Sequence, residues 1–201
     1  MHPTVLITCK IPREWAVELN DVAHVEIWGG NEHLMPRDCL LEMIHDYDAL
    51  INFAEVKADE EFVQSVSKLR IIANCSIGFD NLDLPLLTAN KIWASNAPGF
   101  FNYPVAEYVL AGILAISRKL LEADDFVRKG EWGAFEPGRW DGISVREKTV
   151  GIIGLGSIGK ELRAMLLGLG AKVIYHTPVP REEKGWTPFE ELIRISDVIS
   201  I

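Results

Sequence analysis

Short apolar runs alternate with amphipathic segments along the first half of the chain. The apolar runs are rich in β-branched and aromatic residues, as is typical of buried parallel strands, and they occupy residues 5–9, 25–28, 49–53, 70–74 and 92–94. Segments with helical spacing separate them at 12–19, 36–45, 59–66 and 84–89. This alternation predicts an α/β domain over residues 1–98, with a parallel sheet and helices on both faces.

The pattern changes after residue 95. Asn96-Ala97-Pro98-Gly99 disfavours both helix and strand and indicates a hinge. The strongest predicted helix follows at 105–121, and its apolar residues cover most of its circumference, as in helices buried between layers or subunits. Residues 128–146 are irregular, and Trp132 and Trp140 within them indicate either a dimer contact or local core packing.

A glycine motif follows the next predicted strand. Residues 149–159 read TVGIIGLGSIG, and a helix over 160–167 and a strand over 172–176 come after them. This order is the context in which G-x-G-x-x-G predicts dinucleotide binding. Gly154 would permit the tight turn, Gly156 the approach of a pyrophosphate, and Gly159 close packing of helix against strand. The N–H groups of Ser157 and Ile158 would bind the phosphates.

The end of the second strand bears on the choice of cofactor. NAD-specific folds carry an acidic residue there, which hydrogen-bonds the ribose hydroxyls. Here His176 and Thr177 occupy that position, and Arg181 follows. Because Thr177 could donate to a 2′-phosphate, the residues are compatible with NAD and favour NADP.

Charge and composition exclude several classes of protein. The 201 residues carry a formal net charge of −9, which argues against nucleic acid as a partner. The chain shows no secretory leader and no apolar run long enough to span a bilayer. Its cysteines, Cys9, Cys39 and Cys75, are widely spaced, as in free thiols of a reducing compartment. We therefore expect a cytoplasmic protein without a membrane segment, and the histidines show no spacing typical of metal ligands.

A second constellation, NCSIGFDNLD, occupies residues 74–83 directly after a predicted strand. A glycine at position 78 can expose consecutive backbone N–H groups as an anion site suited to a carboxylate. The composition alone favours the simpler alternative, a glycine turn in which Asp80 and Asp83 cap the next helix.

Together these segments resemble the D-isomer-specific 2-hydroxyacid dehydrogenases, particularly the glyoxylate and hydroxypyruvate reductase branch. The matching stretches are residues 69–74, 78–83, 96–99, 105–108, 130–132, 149–159 and 196–200. The resemblance implies a flavodoxin-like substrate domain over residues 1–98 and a Rossmann cofactor domain over residues 99–201, with substrate in the cleft between them. It also implies that the N–H groups of Ile77 and Gly78 hold the substrate carboxylate, and that two copies join through the cofactor domain.

Departures from the family shape the functional expectation. The family's catalytic arginine, glutamate and histidine correspond to positions after Ile201, so we expect no catalytic residue in this chain, an incomplete Rossmann domain and no helix returning to the first domain. Tyr103-Pro104 replaces a small polar residue that often precedes Val-Ala-Glu, and residues 175–189 leave little room for the usual helix and strand.

The resemblance, together with these departures, implies an oxidoreductase that transfers hydride between NAD(P)H and a small 2-oxo or 2-hydroxy acid, with this chain inactive alone. Specificity would depend on residues around Phe53, Ala54 and Phe79. One alternative is a non-catalytic NAD(P)-binding protein, corepressor-like or scaffolding. Others are a truncated gene product and, less in keeping with the spacing, a methyltransferase.

Overall fold

The computed structural model describes residues 2–53 and 56–201. The chain folds into two compact units, Met1–Phe100 and Phe101–Ile201. The sequence placed the boundary two residues earlier. Ala54, one of the expected specificity residues, lies outside the described residues.

The first unit contains five parallel strands in the order β2-β1-β3-β4-β5. They are β1 (Thr4–Ile7), β2 (His24–Ile27), β3 (Ala49–Asn52), β4 (Ile71–Asn74) and β5 (Trp93–Ser95). All five lie within the predicted runs or one residue beyond them. This order is that of flavodoxin-like sheets, in which ligands bind beyond the carboxyl ends of the strands. The predicted α/β class with a parallel sheet is confirmed.

Helices connect the strands of this sheet. They are α1 (Arg37–Met43), α2 (Glu60–Ser65) and α3 (Leu84–Ala89), with 3₁₀ helices at Arg13–Asp21 and Ile44–Asp46. Asp59 and Asp83 cap α2 and α3 by accepting the N–H groups of Phe62 and Leu86. The first predicted helix, over residues 12–19, is a 3₁₀ helix in the structure, and Ala16 is its buried residue.

Strand register explains the core of the first unit. Leu6, Leu50 and Ile72 are aligned across β1, β3 and β4, and all are fully buried. Their face of the sheet packs against the apolar residues of the helices, Leu40, Phe62 and Leu87. The opposite face becomes exposed towards β5, where Trp93 is 76% exposed.

The second unit contains three parallel strands in the order β7-β6-β8. Its elements are α4 (Asn102–Ser117), α5 (Leu120–Arg128), β6 (Thr149–Ile153), α6 (Ser157–Gly168), β7 (Lys172–His176), α7 (Phe189–Ile195) and β8 (Val198–Ser200). Its core joins the central strand to α6, and Val150, Leu155 and Leu166 are fully buried there. Residues 177–188 form no helix and only one strand-like bridge, between Tyr175 and Trp186.

The predicted single helix over 105–121 is wrong at its end. The helix stops at Ser117, and Lys119 adopts a left-handed conformation with φ of 51° before α5 begins. The carbonyl of Ser117 accepts the N–H of Ile143 at 2.7 Å. The loop that contains Ile143 therefore satisfies a carbonyl at the end of the helix. This tertiary contact leaves no signature in the hydrophobic pattern.

The aromatic residues of the segment after α5 differ in their packing. Trp140 packs locally, with its ring 5.1 Å from that of Phe126. Trp132 and Phe135 are 61% and 82% exposed.

Within the described parts of the chain, no helix is long and apolar enough to cross a membrane.

Candidate functional site

The glycine loop after β6 has the conformation of a tight turn. Gly154 adopts φ of 101°, which side chains other than glycine rarely tolerate. Its N–H donates to the carbonyl of His176 at 2.9 Å, which ties the start of the turn to the end of β7. The turn therefore begins from a fixed position at the edge of the sheet.

Gly156 and the start of α6 form an open, electropositive surface. A Cβ atom built on Gly156 would meet no heavy atom within 4 Å, so a ligand can approach the backbone there. Gly156 is the N-cap of α6 and provides no side-chain cap. The first N–H groups of the helix, on Ser157 and Ile158, have no helical acceptor and lie at the positive end of a 12-residue helix. This arrangement fits the pyrophosphate of a dinucleotide.

Gly159 has a packing role. A Cβ atom at this position would lie 2.4 Å from the carbonyl oxygen of Gly154, which is backbone and cannot move aside. The glycine thus allows α6 to lie directly against the turn. Each of the three glycines has the geometry that its place in the motif predicts.

The region after β7 differs from the expectation for Thr177. Its side chain is buried, and its hydroxyl donates to the carbonyl of Val179 at 2.7 Å. The hydroxyl proton is therefore not directed to a ligand, and Thr177 does not supply the expected donor to a 2′-phosphate in this arrangement. Arg181 is exposed, and its backbone N–H donates to the hydroxyl of Tyr175 at 3.1 Å.

The loop after β4 presents two unpaired N–H groups. Those of Ile77 and Gly78 donate to no acceptor among residues 2–53 and 56–201. Gly78 is not in the left-handed region, so positive φ is not the reason for glycine here. A Cβ atom on Gly78 would lie 3.1 Å from Oδ1 of Asp80, closer than ordinary contact. The absence of a side chain thus leaves this face of the loop open.

Buried asparagines stand behind this loop. Asn52 and Asn74, at the ends of β3 and β4, are 0% and 3% exposed. Nδ2 of Asn52 donates to Oδ1 of Asn74 at 3.0 Å, and Nδ2 of Asn81 donates to the same oxygen at 3.2 Å. Sequence reasoning missed this network, although an asparagine at the end of each of two apolar strands was an available signal.

The alternative prediction for residues 74–83, in which Asp80 and Asp83 cap the next helix, holds for one of the two residues. Asp83 caps α3, whereas no side-chain hydrogen bond of Asp80 occurs among the described residues. The cap and the unpaired N–H groups occupy different parts of the segment. A helix cap and an anion site are therefore compatible.

Two of the cysteines lie in surroundings that disfavour the thiolate. Burial raises the pKa of the Cys75 thiol, and burial together with the neighbouring Cys75 raises the pKa of Cys9. Both groups are therefore protonated at neutral pH and weakly nucleophilic. Over the described parts of the chain, no cluster of His, Cys, Asp or Glu is placed to hold a metal ion.

Comparison with known proteins finds a family model and relatives that this chain resembles. Residues 110–201 match the family model described as D-isomer specific 2-hydroxyacid dehydrogenase, NAD binding domain. A glyoxylate reductase from Thermococcus litoralis is 36% identical over 212 residues, which cover 100% of this chain and 63% of the relative. The TT0316 protein from Thermus thermophilus has a TM-score of 0.91 and 29% identity, covering 98% of this chain and 63% of that one.

A further solved structure is similar to this chain. The NADPH-dependent glyoxylate/hydroxypyruvate reductase of Sinorhizobium meliloti, in complex with citrate, has a TM-score of 0.76 and 26% identity, covering 98% of this chain and 62% of that one. The fold and glycine loop are those of a dinucleotide-binding α/β protein, and residues 110–201 are similar to the NAD-binding domain of the D-isomer specific 2-hydroxyacid dehydrogenases. It spans about 63% of the length of the Thermococcus relative.

Proposed function

We propose that the protein is an NAD(P)-dependent oxidoreductase acting on a small 2-oxo or 2-hydroxy acid, such as glyoxylate or hydroxypyruvate. One observation carries the proposal. Among the described residues, backbone N–H groups without an acceptor occur both at the start of α6 and in the loop at Ile77 and Gly78. The first set suits a pyrophosphate and the second a carboxylate.

On the cofactor side, Ser157 and Ile158 would donate their N–H groups to the phosphates. Gly154 and Gly159 would maintain the turn, and Gly156 would leave room for the approach. When bound, the dinucleotide supplies or accepts the hydride exchanged with carbon 2 of the acid.

On the substrate side, Ile77 and Gly78 would donate to the carboxylate. Backbone N–H groups carry no ionisable proton, so their donation is independent of pH in the neutral range. Hydrogen bonds to an anionic acceptor are about twice as strong as neutral ones. The first unit would thereby orient the acid, and side chains near Phe53 and Phe79 would contact its substituent.

The residues after β7 favour NADP over NAD. No carboxylate occupies position 176 or 177, and the exposed Arg181 would supply a cation to a 2′-phosphate in place of Thr177. Titration by tryptophan fluorescence should give a lower Kd for NADPH than for NADH, and Arg181→Ala should remove the difference. Equal affinities in the original chain would exclude the NADP preference.

The chain alone should bind without turnover. The resemblance implies an arginine, a glutamate and a histidine that correspond to positions outside residues 1–201, and on this expectation proton transfer would have no donor in this chain. The test compares NADPH oxidation by this chain and by the protein isolated from its own gene, with glyoxylate as substrate. Turnover by a homogeneous sample of 22.5 kDa would contradict this expectation. NADPH binding without turnover in a longer gene product would favour a corepressor-like or scaffolding role instead.

The proposal also includes assembly as a homodimer. α4, α5 and the segment after them expose large apolar side chains, which suit a homodimer contact: Tyr108, Ile116, Leu121, Trp132 and Phe135. Light scattering should therefore give twice the chain mass of 22.5 kDa. A monomer that persists at high concentration would exclude the dimer.

The three thiols are free, as expected for a cytoplasmic protein.

A further inference from the structure

We infer that Asn96 is a positioning residue for the carboxylate site, because its side-chain amide fixes the direction of the Gly78 N–H. The inference rests on the proposed function, which assigns the N–H groups of Ile77 and Gly78 to a carboxylate. It adds a residue outside the loop, in the segment directly after β5.

Two successive peptide groups of the loop are held from the same segment. The carbonyl of Ser76 accepts the N–H of Ala97 at 2.9 Å. The next carbonyl, of Ile77, accepts Nδ2 of Asn96 at 2.7 Å. A backbone N–H and a side-chain N–H from consecutive residues therefore hold consecutive carbonyls of the loop.

The direction of each N–H follows from these bonds. The described peptide bonds are all trans, and in a planar trans peptide the N–H points opposite to the C=O. The N–H of Gly78 belongs to the peptide whose carbonyl is bonded to Asn96. It therefore points away from Asn96, and the N–H of Ile77 likewise points away from Ala97.

The third carbonyl of the loop is held from the core. That of Gly78 accepts Nδ2 of Asn74 at 2.9 Å and the hydroxyl of Ser76 at 2.7 Å. Asn74 is itself held by Asn52, and both are buried. The far end of the loop is thus fixed independently, and Asn96 supplies the side-chain contact to the peptide between Ile77 and Gly78.

This contact matters electrostatically. If that peptide rotated, its carbonyl would replace the N–H in front of an anion, exchanging attraction for repulsion. Donors that are fixed before the ligand arrives also avoid the free energy of ordering during binding. An asparagine suits the task because it donates to the carbonyl and carries no charge that would compete for the carboxylate.

Asn96→Asp tests the inference with almost no change in shape. It replaces Nδ2 with an oxygen that repels the Ile77 carbonyl. Asn96→Ala is the second variant, which removes the donor without adding charge. Asn90→Ala is the matched control, since Nδ2 of Asn90 donates to the Leu86 carbonyl at 2.9 Å, a similar bond within the same unit.

The measurement is the set of backbone amide NMR shifts of the full chain during titration with glycolate, the 2-hydroxy acid corresponding to glyoxylate. Ethylene glycol, which lacks the carboxylate, is the ligand control. We expect glycolate, and not ethylene glycol, to shift the Ile77 and Gly78 amides. Both Asn96 variants should weaken glycolate binding about tenfold while Asn90→Ala leaves it unchanged.

The outcomes separate the inference from the proposed function. Unchanged glycolate affinity in Asn96→Ala, with the Ile77 and Gly78 amides still shifting, would overturn the inference and leave the proposed site intact. Equal weakening by Asn90→Ala would overturn it as well, because the effect would then be general destabilisation. A folded original chain in which glycolate shifts neither amide would overturn both.

Discussion

Both units present backbone N–H groups just beyond a parallel strand that find no acceptor in the described part of the chain, but they hold those groups by different means. In the second unit, glycines allow the backbone to take a left-handed turn at Gly154 and to approach α6 closely at Gly159. In the first unit, Asn74 and Asn96 bond the carbonyls of the loop. The glycine loop should therefore be sensitive to added atoms, and the asparagine-held loop to lost donors.

The largest expected effect follows from adding a single side-chain atom where the glycine loop is most tightly packed. Gly159→Ala places a Cβ atom 2.4 Å from the Gly154 carbonyl oxygen, and backbone must move to relieve the overlap. We expect the free energy of unfolding to fall by about 3 kcal/mol, the upper part of the range for overpacking. Chemical denaturation measures this change.

The matched control is Gly168→Ala, at the other end of the same helix. A Cβ atom there meets nothing within 4 Å, and alanine is the better helix former. This variant should be as stable as the original chain or slightly more so. Similar losses in the two variants would show that the close approach at Gly159 is not the cause.

Removing a buried donor from the first unit should have the next largest effect. Asn52→Leu keeps similar volume but leaves the carbonyl and N–H of Val56 and the Asn74 side chain without this partner. Asn81 still donates to the Val56 carbonyl and to Oδ1 of Asn74, so the Val56 N–H is the group left without a partner. This unsatisfied donor, together with the lost hydrogen bonds, should lower the free energy of unfolding by about 2 kcal/mol. The exposed Asn90→Leu is the control, and an equal change in both variants would argue against the network.

A smaller effect separates binding from folding in the glycine loop. Gly156→Ala adds a methyl group into open space, so the free energy of unfolding should change by less than about 1 kcal/mol. The methyl group would stand where the pyrophosphate approaches, and the NADPH affinity should fall about tenfold. Calorimetric titration measures the affinity. An unchanged Kd would mean that the dinucleotide does not approach Gly156.

The sequence predicted these two loops unequally. The glycine loop is recognisable because its requirements are local, with Gly154, Gly156 and Gly159 falling within six consecutive residues. The contacts of Asn96 and Asn52 join residues 19 and 22 positions apart, to Ile77 and Asn74, and depend on strand order. The strands were predictable from their apolar runs. The end of α4 and the buried state of Thr177 were not, because tertiary contacts determine both.

The smallest expected effect concerns a feature that the two units share. Asp48 and Asp197 each precede a strand and accept the N–H of the first residue of the adjacent strand, Thr4 and Thr149, both at 2.8 Å. These backbone hydrogen bonds are the main cause of a lowered pKa for each carboxyl. Their contribution to stability is therefore present above the ordinary pKa of 3.8 and is lost as pH falls through the lower folded value.

Asp48→Asn and Asp197→Asn should lower Tm at neutral pH, and the difference from the original chain should shrink at pH values well below 3.8. Asp48→Asn should have the larger effect, because Asp48 also accepts the Thr4 hydroxyl at 2.8 Å. Differential scanning calorimetry across this pH range measures both. A difference that grows as pH falls would contradict the sign of the pKa shifts.

In the proposed function, the two loops are the dinucleotide and carboxylate sites of one oxidoreductase. Amide NMR spectra of the full chain, with NADPH and then glycolate added to one sample, test it most directly. We predict that NADPH shifts Ser157 and Ile158 and that glycolate shifts Ile77 and Gly78. A folded chain in which both ligands leave all four of these amides unchanged would contradict the claim.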